Sequence, residues 1–441
     1  MIQDTTPISL VMRTNIYSFS DDERKRREGA LKNKDFYYGR QEQYLSLINE
    51  DVDPVAINLV NPIVTKRSSL LYNRPLVREF DGPEYSVKTL EDIYYKLKID
   101  TILQQVDLAA ELTGTCLVFV GLDENDEIIL IPYDASNFSA VTLLDNKTIE
   151  ALQIISINDL VTENGKSVQV KRVLDSEVWT NSYIHKLRDG IQYEQPVAND
   201  LGFIPFVPFK AQEVISQFLG HSPTTNIRQL NGYYNQQLTH LGYMVKMQSA
   251  TPIVLSGFSN GESVSIHPGT AISLPAGAGA SSLGLDPKVT EALEVIRYIE
   301  EKMYQTSSVP KISIVGDIQG TTSGVELMIR WAPLASVFHE KANRYQQYEL
   351  QLANMILDVL GLERIVDVKV NYPKDAVLPV DTDRQNLEQD IKLGIRTPID
   401  EILKTHQNLD ETGAEALVLA NLEFNKQIQE RLDVRPNNQS E

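Results

Sequence analysis

The sequence has a single cysteine, Cys116. That excludes an internal disulfide and any zinc site built from several thiolates. Cys116 lies in Thr115-Cys116-Leu117-Val118-Phe119-Val120, which has the composition of a buried strand, so it reads as a small core residue. No apolar run reaches the ~18 residues needed to span a bilayer. The start, Met1-Ile2-Gln3-Asp4, has neither the basic nor the apolar region of a leader. The expectation is a protein made and used in a cytoplasm, with no membrane partner. Basic residues are also in deficit: 41 Lys and Arg stand against 60 Asp and Glu, a formal net charge of −19. This excludes a protein that grips nucleic acid mainly by neutralising phosphates. It leaves room for one that lets DNA slide past, because an acidic wall repels phosphates.

Signatures of catalysis are equally thin. The histidines are His185, His221, His240, His267, His339 and His406; no two share a helical turn, so an HExxH pair is absent. Asp381-Thr382-Asp383 reads as a helix cap and dipole partner rather than a cation site. The glycine-rich stretch Gly316 to Gly324 lacks the lysine of a P-loop. No cofactor, metal or catalytic residue is assigned. One motif needs weighing. Gly257-Phe258-Ser259-Asn260-Gly261 matches the G-x-S-x-G nucleophile elbow, which requires a strand before it and a helix after it. The run that follows, Glu262-Ser263-Val264-Ser265-Ile266, alternates like a strand, so the glycines read as a hairpin turn. A soluble serine hydrolase built on Ser259 stays as the alternative from another class.

At 441 residues the chain has room for about two to four domains, and 42% hydrophobic with 23% charged residues is an ordinary folded composition. The expected order begins with a helix over 21–48, capped by Ser20, whose cluster Arg24-Lys25-Arg26-Arg27 reads as a solvated face. A second helix is expected from Pro54 to Tyr72, and two more over 87–114, the latter striped by Leu103, Val106, Ala110 and Leu112. Strands follow from Thr115 to about Phe209, with turns at 123–126, Asn164-Gly165 and Asp189-Gly190.

Residues 222–248 form a helix rich in Asn, Gln and Tyr with only Arg228 and Lys246 charged, which suits burial against neighbouring chains. The glycine-rich insert 251–284 has short strands at 252–255 and 264–266. A helix over 287–306 opens at Asp286-Pro287, with Val289, Leu293, Ile296, Ile299 and Met303 as its stripe. After a Gly/Ser/Thr-rich connector, a short helix is expected to break at Trp331-Ala332-Pro333, and a long one to run from Ser336 to Leu360. A strand at 366–370, helices at 381–393, 398–404 and 411–429, and a disordered tail complete the reading.

Several segments, in order, resemble the portal (head–tail connector) proteins of tailed double-stranded DNA bacteriophages. They are Asn61-Pro62-Ile63-Val64-Thr65-Lys66 with Leu71-Tyr72-Asn73-Arg74-Pro75; Glu111-Leu112-Thr113-Gly114; and Gly202-Phe203-Ile204-Pro205-Phe206-Val207-Pro208-Phe209. Ser323-Gly324-Val325-Glu326-Leu327 and Leu393-Gly394-Ile395-Arg396-Thr397-Pro398, followed by Asp410, Glu411 and Glu415, complete them. Thr397-Pro398 departs from the serine that many relatives carry.

The resemblance spans roughly 35–425 and implies an α+β portal fold: helical stem, mixed α/β wing, small β-containing clip and short helical crown. It places the first part of the wing at 1–215, stem at 216–250 and 286–331, clip at 251–285, channel loop and long wing helix at 332–374, crown at 375–430 and tail at 431–441. It implies a structural, non-enzymatic ring of twelve copies at one capsid vertex of the virion, assembled in the host cytoplasm. Duplex DNA would pass through it during packaging and ejection. Terminase, neck adaptor, major capsid and scaffold proteins would be its partners.

Candidate site residues under that reading are, for the DNA-facing channel loop, Trp331, Ala332, Pro333, Leu334, Ala335, Ser336 and Val337, with the connector 307–322 as the alternative. Phe258, Ser259, Asn260 and Glu262 would form the clip contact, and Asn231, Tyr234, Gln237, Glu291 and Glu294 the inter-subunit face of the stem. Another head-completion protein, a neck adaptor, is a second alternative, disfavoured by chain length.

Overall fold

Helix begins at the first residues that the computed structural model describes, which are 21–45, 54–145, 147–164, 167–249, 253–256, 279–282, 289–311 and 324–373, with 314, 397, 399, 413 and 415–419. α1 (Asp21–Tyr37) ends at a turn closed by Gly39 at φ 78°, well short of the expected residue 48. Its cap Ser20 lies outside the described residues. Two members of the basic cluster do not belong to a solvated face, while Lys25 is exposed. Arg26 donates to the carbonyls of Ala135 and Phe138, and Arg27 donates twice to that of Ser136, so the two guanidinium groups clamp the loop after a strand.

α2 (Val60–Ser68) starts six residues later than the Pro54 expected, because 54–59 forms no regular helix, only its last residue, Leu59, having helical backbone angles. Next come β1 (Arg78–Asp81), α3 (Glu84–Leu97) and α4 (Ile99–Thr113), the two helices separated by Lys98 in the left-handed region. The α4 stripe is as expected: Leu103, Val106 and Ala110 are wholly buried and Leu112 nearly so. α4 stops at Gly114, whose φ of 91° disfavours a side chain. A Cβ there would meet the Gly220 carbonyl oxygen at 2.5 Å, and one at Gly220 would meet that of Gly114 at 2.6 Å. Two backbones cross in contact at this point. The terminal carbonyls of α4 accept bonds from Asn33, Ser222 and Thr224, which satisfies the helix end.

β2 (Thr115–Leu122) and β3 (Ile128–Asp134) form the expected hairpin, joined on the other edge by β10 (Phe206–Lys210) to give the order β10–β2–β3. Cys116 is buried in β2. A second sheet runs β4 (Phe138–Thr142), β5 (Ile149–Asn164), β6 (Ser167–Trp179), β7 (Tyr183–Arg188) and β8 (Ile191–Gln192), with β9 (Val197–Ala198) also paired to β7. The β7–β8 turn uses Asp189 and Gly190, both at positive φ. Leu117, Phe138, Leu152, Phe206 and Phe218 make the core between these sheets, and Trp179 packs on Phe119 and Phe206 at 5.4 and 5.7 Å between ring centres.

α5 (Thr224–Ser249) packs on α6 (Val289–Ser307). Between them β11 (Ile253–Ser256) pairs antiparallel with β12 (Gly279–Ser282). The expected strand at 264–266 lies outside the described residues. α7 runs unbroken from Gly324 to Val359 with Pro333 inside it, in place of two helices and a loop. β13 (Asp367–Val370) then pairs with β1.

The chain divides into two compact units: Met1–Ile318 with Pro333–Pro373, and Gln319–Ala332 with Lys374–Glu441. In the second, the described residues are helical at 324–332 and 415–419, within the expected helix 411–429. Among the described residues no helix is long and apolar enough to cross a membrane.

Candidate functional site

The amide-rich face of α5 has an intrachain role. Four residues of helix rise about 6 Å, and two residues of extended chain rise about 6.6 Å. Side chains at i, i+4 and i+8 of a helix can therefore meet every second N–H of an extended segment. Here the N–H of Val55 donates to Thr239 Oγ1 at 3.0 Å and that of Ile57 to Asn235 Oδ1 at 3.0 Å. Those of Leu59 and Val60 donate to Asn231 Oδ1 at 3.1 and 3.3 Å, and Asn231 Nδ2 donates back to the Ile57 carbonyl at 2.9 Å.

This ladder also caps α2. Leu59 stands at its N-cap and has no acceptor of its own, so Asn231 supplies one from across the fold. Asn58 Oδ1 takes the N–H of Asn61, and Pro62 has none to satisfy.

The expected inter-subunit face is corrected accordingly. Asn231 is wholly buried inside its own chain and cannot face a neighbour. Tyr234 is 9% exposed, near Glu300 and Tyr304 of α6, with its phenol raised by burial and by Glu300. Gln237 is half-buried. Glu291 and Glu294 are exposed on α6, beside the exposed apolar side chains Leu293, Val295 and Tyr298, while Tyr233 is exposed on α5. Leu293 thereby leaves the buried stripe expected of α6. These exposed side chains, apolar with carboxylates among them, have the composition of a protein contact surface.

α7 is anchored by a buried ion cluster that the sequence reading missed. Lys341 Nζ lies 2.8 Å from Asp107 Oδ1 and 3.0 Å from Glu111 Oε1, and it donates to the Arg67 carbonyl. Arg67 Nε lies 3.0 Å from Glu111 Oε2, and its Nη1 reaches the Ser307 carbonyl at 2.6 Å. Tyr345 donates to Asp107 at 2.7 Å. Burial drives the Asp107 carboxyl up to about 6 against the pull of Lys341, with Glu111 adding to the rise. For Glu111 burial is outweighed by Arg67 and Lys341, which hold it down to about 2.

A second set lies further along α7. Glu349 accepts from Arg78, Tyr72 and Tyr372, and Arg78 also pairs with Asp100 at 2.7 Å. The signal was available: Asp107 and Glu111 recur at helical spacing after Leu103, as Lys341 and Glu349 do around Tyr345.

The channel-loop assignment is corrected in its structure. Residues 331–337 are helical, and Leu334 is wholly buried, so it is not a loop tip. Ala332, Pro333 and Ser336 are exposed, and Trp331, Ala335 and Val337 half-buried. In the connector, 307–311 ends α6 in a turn with Ser308 at φ 58°. The rest up to 323, apart from Ile314, lies outside the described residues. So do the clip residues Phe258, Ser259, Asn260 and Glu262, the candidate cation site Asp381-Thr382-Asp383, and most of the expected crown.

A family model described as phage portal protein, SPP1 Gp6-like, matches residues 18–415. No curated protein matches the chain. Among solved structures, a chain in the virion of a native gene transfer agent particle is similar at 11% identity and a TM-score of 0.45, covering 76% of this chain and 84% of that one. A chain in the neck of an empty gene transfer agent particle is similar at 14% identity and a TM-score of 0.47, covering 78% and 89%.

Proposed function

The chain belongs to the phage portal protein family, SPP1 Gp6-like, and from that premise we propose that it closes, with copies of itself, into the ring through which a viral genome is packaged and ejected. Its role in that family is structural, and no residue is assigned a catalytic part. The observation that carries the reading is the family match over residues 18–415. The ring would hold twelve copies at one capsid vertex of the virion, assembled in the host cytoplasm. It would dock terminase during packaging, then a neck adaptor, and contact capsid and scaffold proteins.

Two physical features support this assembly. The exposed Leu293, Val295 and Tyr298 on α6 and Tyr233 on α5 give the helix pair an outer face that a neighbouring copy would cover. The net charge of −19 keeps the wall from holding phosphates, so duplex DNA stays mobile. Within the ring we assign the stem to the α5–α6 pair, the clip to the insert around β11 and β12, and the wing to the sheets with α7. The crown falls to 375–430. With 331–337 helical, the DNA-touching loop passes to the alternative, the connector 307–322.

Native mass spectrometry of the purified chain tests this reading. A large closed multiple of one mass is expected; monomers and dimers alone, across salt and concentration, would contradict it. The hydrolase alternative is tested on the same sample. A fluorophosphonate probe is expected to leave Ser259 unlabelled, and stoichiometric labelling there would revive that alternative.

A further inference from the structure

Beside the buried ion cluster lies a cavity of about 290 Å³, walled by the end of α2, the turn after α6 and the part of α7 that follows Pro333. Arg67, Lys341 and Arg344 line it, with Glu111, Thr306 and Ser336. Two of the three cations are neutralised, because Arg67 and Lys341 share Glu111 and Lys341 also meets Asp107. Arg344 is the charge left over. Among the described residues it forms no ion pair; one donor reaches the Ala211 carbonyl at 2.6 Å, and its Nε is buried without an acceptor. A guanidinium stays charged at any ordinary pH and presents five donors in a plane. A wall that holds a cation without a carboxylate partner and the three hydroxyl side chains of Thr306, Ser308 and Ser336 lacks one thing, an anion with several acceptor oxygens.

We propose that this cavity is a phosphate-binding site. Arg344 would be its primary ligand, with Ser336 and Thr306 adding hydroxyl donors from two different elements. Arg67 and Lys341 would keep their own carboxylate partners. A carboxylate matches the fork of Arg344 but has too few oxygens to reach donors on both α6 and α7, and a neutral ligand would leave the charge uncompensated. Glu340, exposed at the rim one helical turn before Arg344, opposes the anion and tunes the affinity downward. The site needs no ring to exist, so it stands apart from the proposed function.

The test is calorimetric titration of the purified full-length chain with sodium phosphate at constant ionic strength, with sodium acetate as the carboxylate control. Saturable binding of phosphate is expected, with acetate much weaker. Arg344→Gln removes charge-assisted bonds and is expected to weaken phosphate about tenfold or more. Glu340→Gln removes the opposing rim charge and is expected to tighten it about twofold. Displacement by dimethyl phosphate would identify a diester as the natural ligand, and its failure a free phosphate; the site is a phosphate site either way. No saturable binding to the wild-type chain, acetate binding as tightly as phosphate, or an Arg344→Gln chain with unchanged affinity would overturn the proposal. If Arg344→Gln does not fold, Glu340→Gln decides, and unchanged or weaker binding there would count against it.

Discussion

Replacing Asn231 with alanine strikes the ladder where it carries most. The side chain makes three bonds: it accepts from Leu59 and Val60 and donates to the Ile57 carbonyl. Truncation leaves all three backbone groups without a partner, and α2 without a cap. A buried polar group stripped of its partner costs about 1–3 kcal/mol. Val60 is wholly buried, whereas Leu59 and Ile57 are partly exposed and recover some water. The total is about 3–5 kcal/mol. Asn235→Ala loses one backbone acceptor and one bond to Gln41, for about 2 kcal/mol, and Thr239→Val loses the acceptor for the exposed Val55 and a bond to the Asn235 carbonyl one turn back in the same helix, for about 1 kcal/mol. The order of damage therefore follows the ladder. Hydrogen exchange is the direct assay, because the amides of Leu59 and Val60 should lose protection in Asn231→Ala while those of β2 do not. Unchanged exchange over 54–61, or equal damage from the three substitutions, would refute the ladder.

The ion cluster predicts an asymmetry between two neighbouring carboxylates. Glu111→Gln leaves Arg67 without its carboxylate and Lys341 with Asp107 alone, and should cost about 3–5 kcal/mol, read as a lower midpoint in urea at pH 7. Asp107→Asn should leave that midpoint level or raise it, because burial already favours the protonated form of Asp107. The pH dependence follows. A carboxyl raised from 3.8 to about 6 favours folding fully below about pH 4 and loses that contribution as pH climbs through 6; Glu111, held from 4.5 down to about 2, stabilises above 4.5 and loses this as pH falls towards 2. Wild-type stability should therefore gain from Asp107 between pH 6 and 4, a gain absent in Asp107→Asn. Gly114→Ala puts a Cβ 2.5 Å from the Gly220 carbonyl at a positive φ and should cost about 2–4 kcal/mol, seen as a lower thermal midpoint. Pro333→Ala should raise the thermal midpoint without changing the course of α7, since the helix already passes through this residue and gains one backbone bond.

Much of this fold was readable where local rules decide it. The α4 stripe follows from 3.6-residue spacing, and the β2–β3 hairpin and the Asp189-Gly190 turn follow from turn chemistry. The misses have one cause, partners far away in sequence. Pro54 to Leu59 stays out of the helix because the N–H groups of Val55, Ile57 and Leu59 have acceptors on α5, more than 170 residues on, and nothing within the segment announces that. Read alone, the Asn-rich helix pointed to a neighbouring chain; its amides are spent inside. Pro333 punctuates a helix by local rules, but the helix continues past it into a segment buried through Leu334, Phe338 and Tyr345. β1 was unread because its partner β13 lies far along the chain. Arg26 and Arg27 looked like surface charge, and only the loop at Ala135–Phe138 reveals their acceptors. Of the candidate site, Glu291 and Glu294 of α6 are exposed and Asn231 is buried within its own chain.

The portal assignment rests on closure of identical copies around a channel, and negative-stain electron microscopy of the purified full-length chain addresses that directly. The account predicts closed rings of uniform diameter with a central hole. A field of single particles without a hole, at concentrations where the chain is folded and unaggregated, would contradict it.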